Sequence, residues 1–155
     1  MIRLIWTVII SGIVFGMCSC EMETSDNGDL DGFWHLESVD TLSTGGSCNY
    51  KERKVFWGVQ HKLISIRNFA SDAASTGYYV RFNQTGDSLI LSSPYANHWH
   101  QDYGDDGGDV PVTEINAELR ELGMNHLEEH FKKEKLSGSK MVLSNNEYRL
   151  SFTKF

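Results

Sequence analysis

The stretch Tyr78–Ser92, YYVRFNQTGDSLILS, decides the fold class of this 155-residue chain. Tyr78, Val80 and Phe82 alternate with Tyr, Arg and Asn, and a second run, SLILS, follows the turn QTGD. Successive side chains of a β-strand point to opposite faces, so this pattern predicts two strands joined as a hairpin. Gly86 is expected to supply the positive φ that such a turn needs.

The same period of two extends over the chain from Gly32 onward. Apolar and polar residues alternate at 34–37 and 64–67, and a further strand is expected at 130–136. At 55–59, Val55, Trp57 and Val59 are expected on one face of a strand and Phe56 on the other. The runs 141–143 and 148–152 flank Asn145-Asn146, a pair that tolerates the left-handed conformation, and they predict a second hairpin. Eight short antiparallel strands in sequence favour a closed up-and-down barrel or a sandwich. The side chains expected to line the interior are Trp34, Trp57, Ile66, Tyr78, Val80 and Phe82.

One segment, Thr113–Gly123, departs from the strand pattern. Ile115, Leu119 and Leu122 are spaced i, i+4 and i+7, which predicts a helix with Thr113 as its N-cap and Gly123 at its end. A further turn is predicted at 125–128. We expect this helix to cover one open end or side of the barrel; presentation to a partner is the alternative.

The first twenty residues, MIRLIWTVIISGIVFGMCSC, are typical of a secretion signal. Arg3 precedes an apolar run of about 14 residues, which is short for a membrane span of roughly 20. Met17-Cys18-Ser19-Cys20 resembles the lipobox of bacterial lipoproteins, where an apolar and two small residues precede the acylated cysteine. The resemblance implies a signal peptide at 1–19 and lipidation of Cys20; an ordinary cleaved signal is the alternative. Two or three acyl chains would hold the protein on a membrane surface without spanning it.

Charge argues against nucleic-acid binding, and the cysteine content argues against a disulfide bond. Removing residues 1–19 deletes one base, Arg3, and no acid, which leaves 13 Lys and Arg against 21 Asp and Glu, net −8. This argues against nucleic acid, because phosphate binding depends on Lys and Arg. Cys48 would be the only unmodified cysteine, so no intramolecular disulfide is expected. Residues 20–31 predict a flexible acidic tether, and residues 32–155 a single folded domain.

The start of the first predicted strand carries a resemblance to a known family. Gly32-Phe33-Trp34 resembles the Gly-x-Trp motif of lipocalins. In that family the Trp closes one barrel end and packs under a basic residue from the last strand. The resemblance implies that Arg149 or Lys154 takes this place here.

A wider arrangement makes the resemblance more specific. A lipoprotein signal, the motif Asp31–Trp34, a Lys140–Leu143 strand and a terminal Leu150–Phe155 are together similar to the small lipocalin-like lipoproteins of Bacteroidetes. The similarity covers residues 32–155. It implies an all-β fold, namely a lipocalin-like up-and-down antiparallel β-barrel of about eight strands with one or two short helices. It also implies a location in the cell envelope, at the outer membrane facing the periplasm or the surface, and it transfers no ligand.

Residues 93–112, SPYANHWHQDYGDDGGDVPV, form a long connection without periodicity, of the kind that is usually functional or disordered. Its aromatic residues, Tyr95 and Trp99 among them, predict a lid packed on the barrel mouth; a merely packed or mobile loop is the alternative. His98, His100 and Asp102 share one face of an extended segment and could bind a transition metal. Such groups often lie without a metal in loops, so no metal and no cofactor is predicted.

The sequence favours a non-enzymatic function. It contains no Gly-x-Ser-x-Gly elbow, phosphate-binding loop or zinc-protease motif, and Cys48 is weakly supported as a nucleophile. The first hypothesis is an envelope-anchored lipoprotein that binds a small apolar or amphipathic ligand in its barrel. The alternative is an envelope scaffold or accessory interaction module with a filled barrel and an envelope protein as partner. The predicted ligand-binding residues are Trp34, Trp57, Ile66, Tyr78, Val80, Phe82, Tyr95 and Trp99.

Overall fold

The computed structural model describes residues 25–70, 77–97 and 109–155, which form ten strands and one short α-helix. A single 3-10 turn, Gly28–Leu30, precedes the first strand. The elements are β1 Gly32–Thr41, β2 Gly46–Asn49, β3 Val55–Gln60, β4 Leu63–Asn68, β5 Tyr78–Gln84, β6 Ser88–Ala96, β7 Val110–Pro111, α1 Ala117–Glu121, β8 Glu129–Leu136, β9 Lys140–Ser144 and β10 Tyr148–Lys154.

Eight of these strands close into an antiparallel barrel. They pair in chain order, β1, β3, β4, β5, β6, β8, β9 and β10, and β10 pairs back onto β1 from Trp34↔Lys154 to Thr41↔Tyr148. The two short strands lie outside this ring: β2 pairs with the second half of β1, and β7 pairs with the end of β6. The predicted up-and-down barrel of eight strands is therefore confirmed. Closure removes the unpaired edges that an open sheet would expose.

The predicted alternation sets the two faces of the barrel wall. In β3, Val55, Trp57 and Val59 are buried while Phe56 is only half-buried, and β5 repeats this pattern from Tyr78 to Phe82. The inward side chains form one continuous hydrophobic core that also takes in Leu30 below β1 and residues from the segment around α1.

Two turns form differently from the prediction. Gly86 does not adopt a positive φ; the β5–β6 hairpin is closed by the Thr85 N–H donating to the Ser88 carbonyl at 2.9 Å. Asn145 and Asn146 are not left-handed either. Asn145 Oδ1 instead accepts the backbone N–H groups of residues 147 and 148, so the asparagine acts through its side chain. A left-handed residue occurs instead at His61, with φ of 53°, in the turn between β3 and β4.

The helix is shorter than predicted. It begins after Asn116, whose side chain accepts the Leu119 N–H at 2.8 Å, so Asn116 and not Thr113 is the N-cap. Asn is among the strongest N-cap residues, which explains why the helix starts one turn late. Gly123, with φ of +92°, follows the helix as expected. The turn predicted at 125–128 is not helical.

Gly77, just before β5, holds a position where any side chain would be strained. Its φ is +70°, and a Cβ there would lie 2.7 Å from the Ile66 carbonyl oxygen and 2.6 Å from Arg67 Cγ. The close approach lets the Gly77 carbonyl accept the Asn97 N–H at 3.0 Å. Gly77 thus joins the start of β5 to the end of β6 at one rim of the barrel.

Candidate functional site

Most of the predicted ligand-lining side chains face the barrel interior and pack against one another. Trp34, Trp57, Ile66 and Val80 are fully buried, and Phe82 is 2% exposed. Tyr78 lies beside them at the rim, whereas Tyr95 belongs to the outer face, since its strand partner is the half-buried Tyr79. Trp99 lies outside the described residues, as do His98, His100 and Asp102. Inward orientation is thus established for six of the eight; their role in ligand binding stays a prediction.

Trp34 seals the first end of the barrel, where β1 begins. Its indole N–H donates to the Leu30 carbonyl at 2.8 Å, and Leu30 is fully buried beneath it. Lys154 Nζ lies 4.9 Å from the Trp34 ring centroid and also donates to the Asp29 carbonyl. Lys154 is therefore the basic partner of the motif tryptophan. Arg149, the other possibility, instead makes two hydrogen bonds to Glu134 on the outer wall.

The chain reaches this end through a compact polar network that starts at Ser25. Asn27 Nδ2 donates to Asp31 Oδ1 at 2.7 Å and to the His61 carbonyl at 2.6 Å, and Ser25 Oγ accepts the His61 N–H at 2.7 Å. Partial burial acts to raise the pKa of Asp31, but hydrogen bonds from Ser25 and Asn27 outweigh it and hold that pKa below 3.8. The described part of the predicted tether, residues 25–31, is thus packed onto the barrel.

The segment around α1 seals the second end of the barrel. Trp57 donates its indole N–H to the Leu122 carbonyl at 2.9 Å, and Leu119, Leu122 and Met124 are buried in the core. The expected helix covering an open end is therefore confirmed. Buried aromatic N–H groups need a partner, and both core tryptophans find theirs in the segments that close the two ends.

Tyr78 and Glu129 fix this second closure by hydrogen bonds. The Tyr78 hydroxyl donates to Glu118 at 2.7 Å and accepts from Asn116 at 2.9 Å; burial and the Glu118 bond raise the pKa of Tyr78 above 10.0. Glu129 is 2% exposed, and its carboxylate accepts the N–H groups of Asn125 and His126, both at 2.8 Å. The interior is thus held at both ends by specific polar contacts.

A small pocket on the outer wall contains Tyr95. It has a volume of about 310 Å³ and is lined by two phenol rings, one aliphatic side chain and a cation and anion: Tyr79, Tyr95, Leu63, Arg81 and Asp109. Its walls are therefore amphipathic. The described ends of the segment predicted as a lid lie next to this pocket, because Asp109 directly precedes β7, which pairs with the end of β6.

Sequence analysis missed a cluster of rings on the outer face of β1 and β3. Phe33 stacks on Phe56 with centroids 4.6 Å apart and planes at 6°, and Phe69 and Phe155 contact both rings edge-on. We call these four residues the outer aromatic patch. Phe33, Phe69 and Phe155 are 37%, 50% and 89% exposed. The signal was present in the sequence, since Phe33-Trp34 and Phe56-Trp57 each place an aromatic residue on both faces of a strand.

A polar pocket of about 500 Å³ lies on the opposite wall, between β8 and β9. Its rim carries His130 bonded to Glu128 at 2.6 Å and His126 3.5 Å from Glu147. Within the described ranges no group of three or more His, Cys, Asp or Glu side chains could hold a metal ion. Cys48, on β2, is exposed to solvent.

Comparison with known proteins agrees with this geometry. A family model described as a lipocalin-like domain matches residues 15–155. The crystal structure of a lipocalin-like protein from Bacteroides uniformis ATCC 8492 is 20% identical, covering 83% of this chain and 100% of that one, with a TM-score of 0.60. The structure of an uncharacterized protein from Bacteroides eggerthii DSM 20697 is 14% identical, covering 81% and 98%, with a TM-score of 0.54. These identities establish a shared fold only, and no curated protein matches the chain.

Proposed function

Because the chain belongs to the lipocalin-like domain family, we propose that it is a non-enzymatic envelope lipoprotein whose filled barrel is a rigid scaffold for interactions at its outer surface. Acylated Cys20 attaches it to the membrane, at the outer membrane facing the periplasm or the surface. Support for the anchor comes from the lipobox-like residues 17–20. No helix in the described ranges has the length and apolarity to cross a membrane.

One observation carries the choice of a scaffold over an internal binder: the packed state of the interior. An eight-stranded barrel has room either for packed side chains or for one small ligand. Here the two interior indole rings are fully buried and bonded to the segments that close both ends. A ligand would have to displace rings that already have close apolar neighbours and satisfied N–H groups, at a cost of several kcal/mol.

The outer pocket at Tyr95 supports a second candidate function. Its volume of about 310 Å³ is within the range of small-molecule sites, and it combines ring surfaces with Arg81 and Asp109. A small amphipathic molecule with a charged group fits this chemistry. This second candidate function keeps a small ligand, as the sequence suggested, but places its site on the outer wall instead of in the barrel interior.

Acylation is tested with two matched cysteine variants. Cys20→Ala should abolish labelling by a fatty-acid analogue and release the protein from membranes. Cys18→Ala should keep both the labelling and the attachment to membranes. Labelling that persists in Cys20→Ala shows that the anchor lies elsewhere.

Native mass spectrometry of protein purified from its own envelope separates the two functions. A stoichiometric protein partner supports the scaffold. A bound small molecule contradicts it, and a second measurement then locates the site: Tyr95→Ala should remove a molecule held in the outer pocket, and Trp57→Ala should alter one held in the core. Titration with an apolar fluorescent probe gives the same contrast, with Trp57→Ala as the positive control because it opens a cavity.

A further inference from the structure

We propose that the outer aromatic patch is a membrane-contact surface, which lays the β1–β3 wall of the barrel on the lipid interface beside the acyl anchor. The proposal rests on the lipid anchor proposed above. It assigns one occupant, a bilayer surface, to the patch formed by Phe33, Phe56, Phe69 and Phe155.

The patch is a single exposed apolar surface and not a set of scattered rings. All four ring centroids lie within 6.4 Å of a neighbouring ring in the patch, and the Phe155 N–H donates to the Phe33 carbonyl at 2.8 Å, which fixes the last residue in place. With about 200 Å² for a whole aromatic side chain, the exposed fractions amount to roughly 350 Å² of ring surface. The largest apolar patch of a typical monomer has about this size, roughly 300–600 Å², and is often functional.

The reach of the tether selects a membrane as the occupant. Ser25 is fixed on the barrel by its hydrogen bond from His61, and Cys20 lies five residues before it. A fully extended chain spans at most about 3.6 Å per residue, so the acylated cysteine lies within about 18 Å of Ser25. Strand β1 alone, ten residues long, rises about 33 Å along the wall. The far end of the barrel is therefore too distant to be the face that meets the lipid.

The patch lies on the wall where the tether arrives. Ser25 and Phe33 line the same open groove, which has a volume of about 480 Å³ and a floor that includes Gly58. A Cβ at Gly58 would lie 3.3 Å from the Phe33 ring, so this glycine lets the ring lie flat along β3. The groove thus connects the anchored end of the chain to the rings.

Site-specific labels on the full-length acylated protein test the contact. In a Cys48→Ser background, Phe69→Cys places an environment-sensitive fluorophore in the patch, and Leu127→Cys places one in the segment that precedes β8, where Leu127 is 39% exposed. The protein is reconstituted into phosphatidylethanolamine and phosphatidylglycerol vesicles that carry a quencher at the acyl-chain boundary. Because interfacial contacts penetrate about 5–10 Å, the label at 69 should be quenched at least about threefold more than the label at 127.

A matched pair of surface variants shows whether the rings cause the contact. Phe33→Ser with Phe155→Ser should reduce quenching at 69 to the level at 127, whereas Leu42→Ser with Leu127→Ser, also exposed apolar residues, should leave it unchanged. Equal quenching at 69 and 127 in the unsubstituted protein overturns the proposal. So does a label at 69 that is shielded without vesicles in a dimer, which would assign the patch to a second copy.

Fatty-acid labelling on the same samples separates this proposal from the anchor. An acylated protein with no excess quenching at 69 refutes the membrane-contact surface and leaves the anchor intact. Excess quenching at 69 in a protein without an acyl chain refutes the anchor and supports the surface. A protein with neither an acyl chain nor excess quenching at 69 overturns both the anchor and the membrane-contact surface.

Discussion

Truncation of Trp34 should remove a large part of the free energy of unfolding. The ring is fully buried, its N–H is bonded to the Leu30 carbonyl, and Lys154 lies over its face. Truncating a buried Trp to Ala typically costs about 3–5 kcal/mol, in a protein whose total stability is about 5–15 kcal/mol. Trp34→Phe keeps most of the ring but leaves the buried carbonyl unpaired, which costs about 1–3 kcal/mol.

Urea unfolding followed by far-UV circular dichroism measures this loss without depending on indole fluorescence. With a denaturant slope of about 2 kcal/mol per M, the Trp34→Ala midpoint should fall by roughly 2 M, and the Trp34→Phe midpoint by about half as much. Phe33→Ala is the matched control, because it removes a ring from the adjacent residue, which lies on the outer face. It should lower the free energy of unfolding by about 1 kcal/mol. Equal midpoints for Trp34→Ala and Phe33→Ala would refute the inward position of Trp34 and the register of β1.

Three further predictions follow from single side chains. Gly77→Ala should lower stability by about 1–3 kcal/mol, because a Cβ at φ +70° meets backbone, while Gly86→Ala should be neutral; thermal melts of both variants measure this. Glu129→Ala should cost about 2 kcal/mol, since it leaves two partly buried N–H groups unpaired, and Glu128→Ala, on the surface, should cost little; similar losses would contradict the capping role. Asp31→Asn should destabilise at pH 7 because the lowered pKa of Asp31 means that folding favours its charged form. That contribution is complete above about pH 4 and is lost as the pH falls further, so the difference in melting temperature between wild type and variant should shrink on acidification; a constant difference would contradict it.

The strands were predictable because a closed barrel obeys one simple rule. Every wall strand buries one face, so the period of two in 55–59 or 78–82 reports directly on the inside and outside of the structure. Turn conformations were less predictable, because Gly86 and Asn145 each have more than one way to close a hairpin. At Asn145 the side-chain hydrogen bonds decided the turn, and these depend on neighbours that the local sequence does not specify.

The candidate sites were harder to predict than the strands, for a reason that depends on distance along the chain. Which cation would cover Trp34 required the register between β1 and β10, residues more than a hundred positions apart, and the structure selects Lys154. Likewise, the alternation of side chains along each strand correctly placed the interior rings, but it could not show that Leu30 and Leu122 would close both ends. The position of Tyr95 followed from a β6 strand that runs to Ala96, further into the predicted loop than its sequence suggested.

Strands β1 and β3 carry aromatic residues on both faces, although one face lies in the core and the other faces solvent. Trp34 pairs with Trp57 across the inside, and the neighbouring register puts Phe56 opposite His35 on the outside. The inner pair is explained by stability, since each ring fills the core and bonds an end segment. The outer rings have no such reason, because polar residues would satisfy a solvated wall and exposed rings cost free energy in water. Fold stability alone would not select them, which is why we assign them to a surface contact. In the proposal above, a tether acylated at Cys20 would bring that wall to the lipid surface.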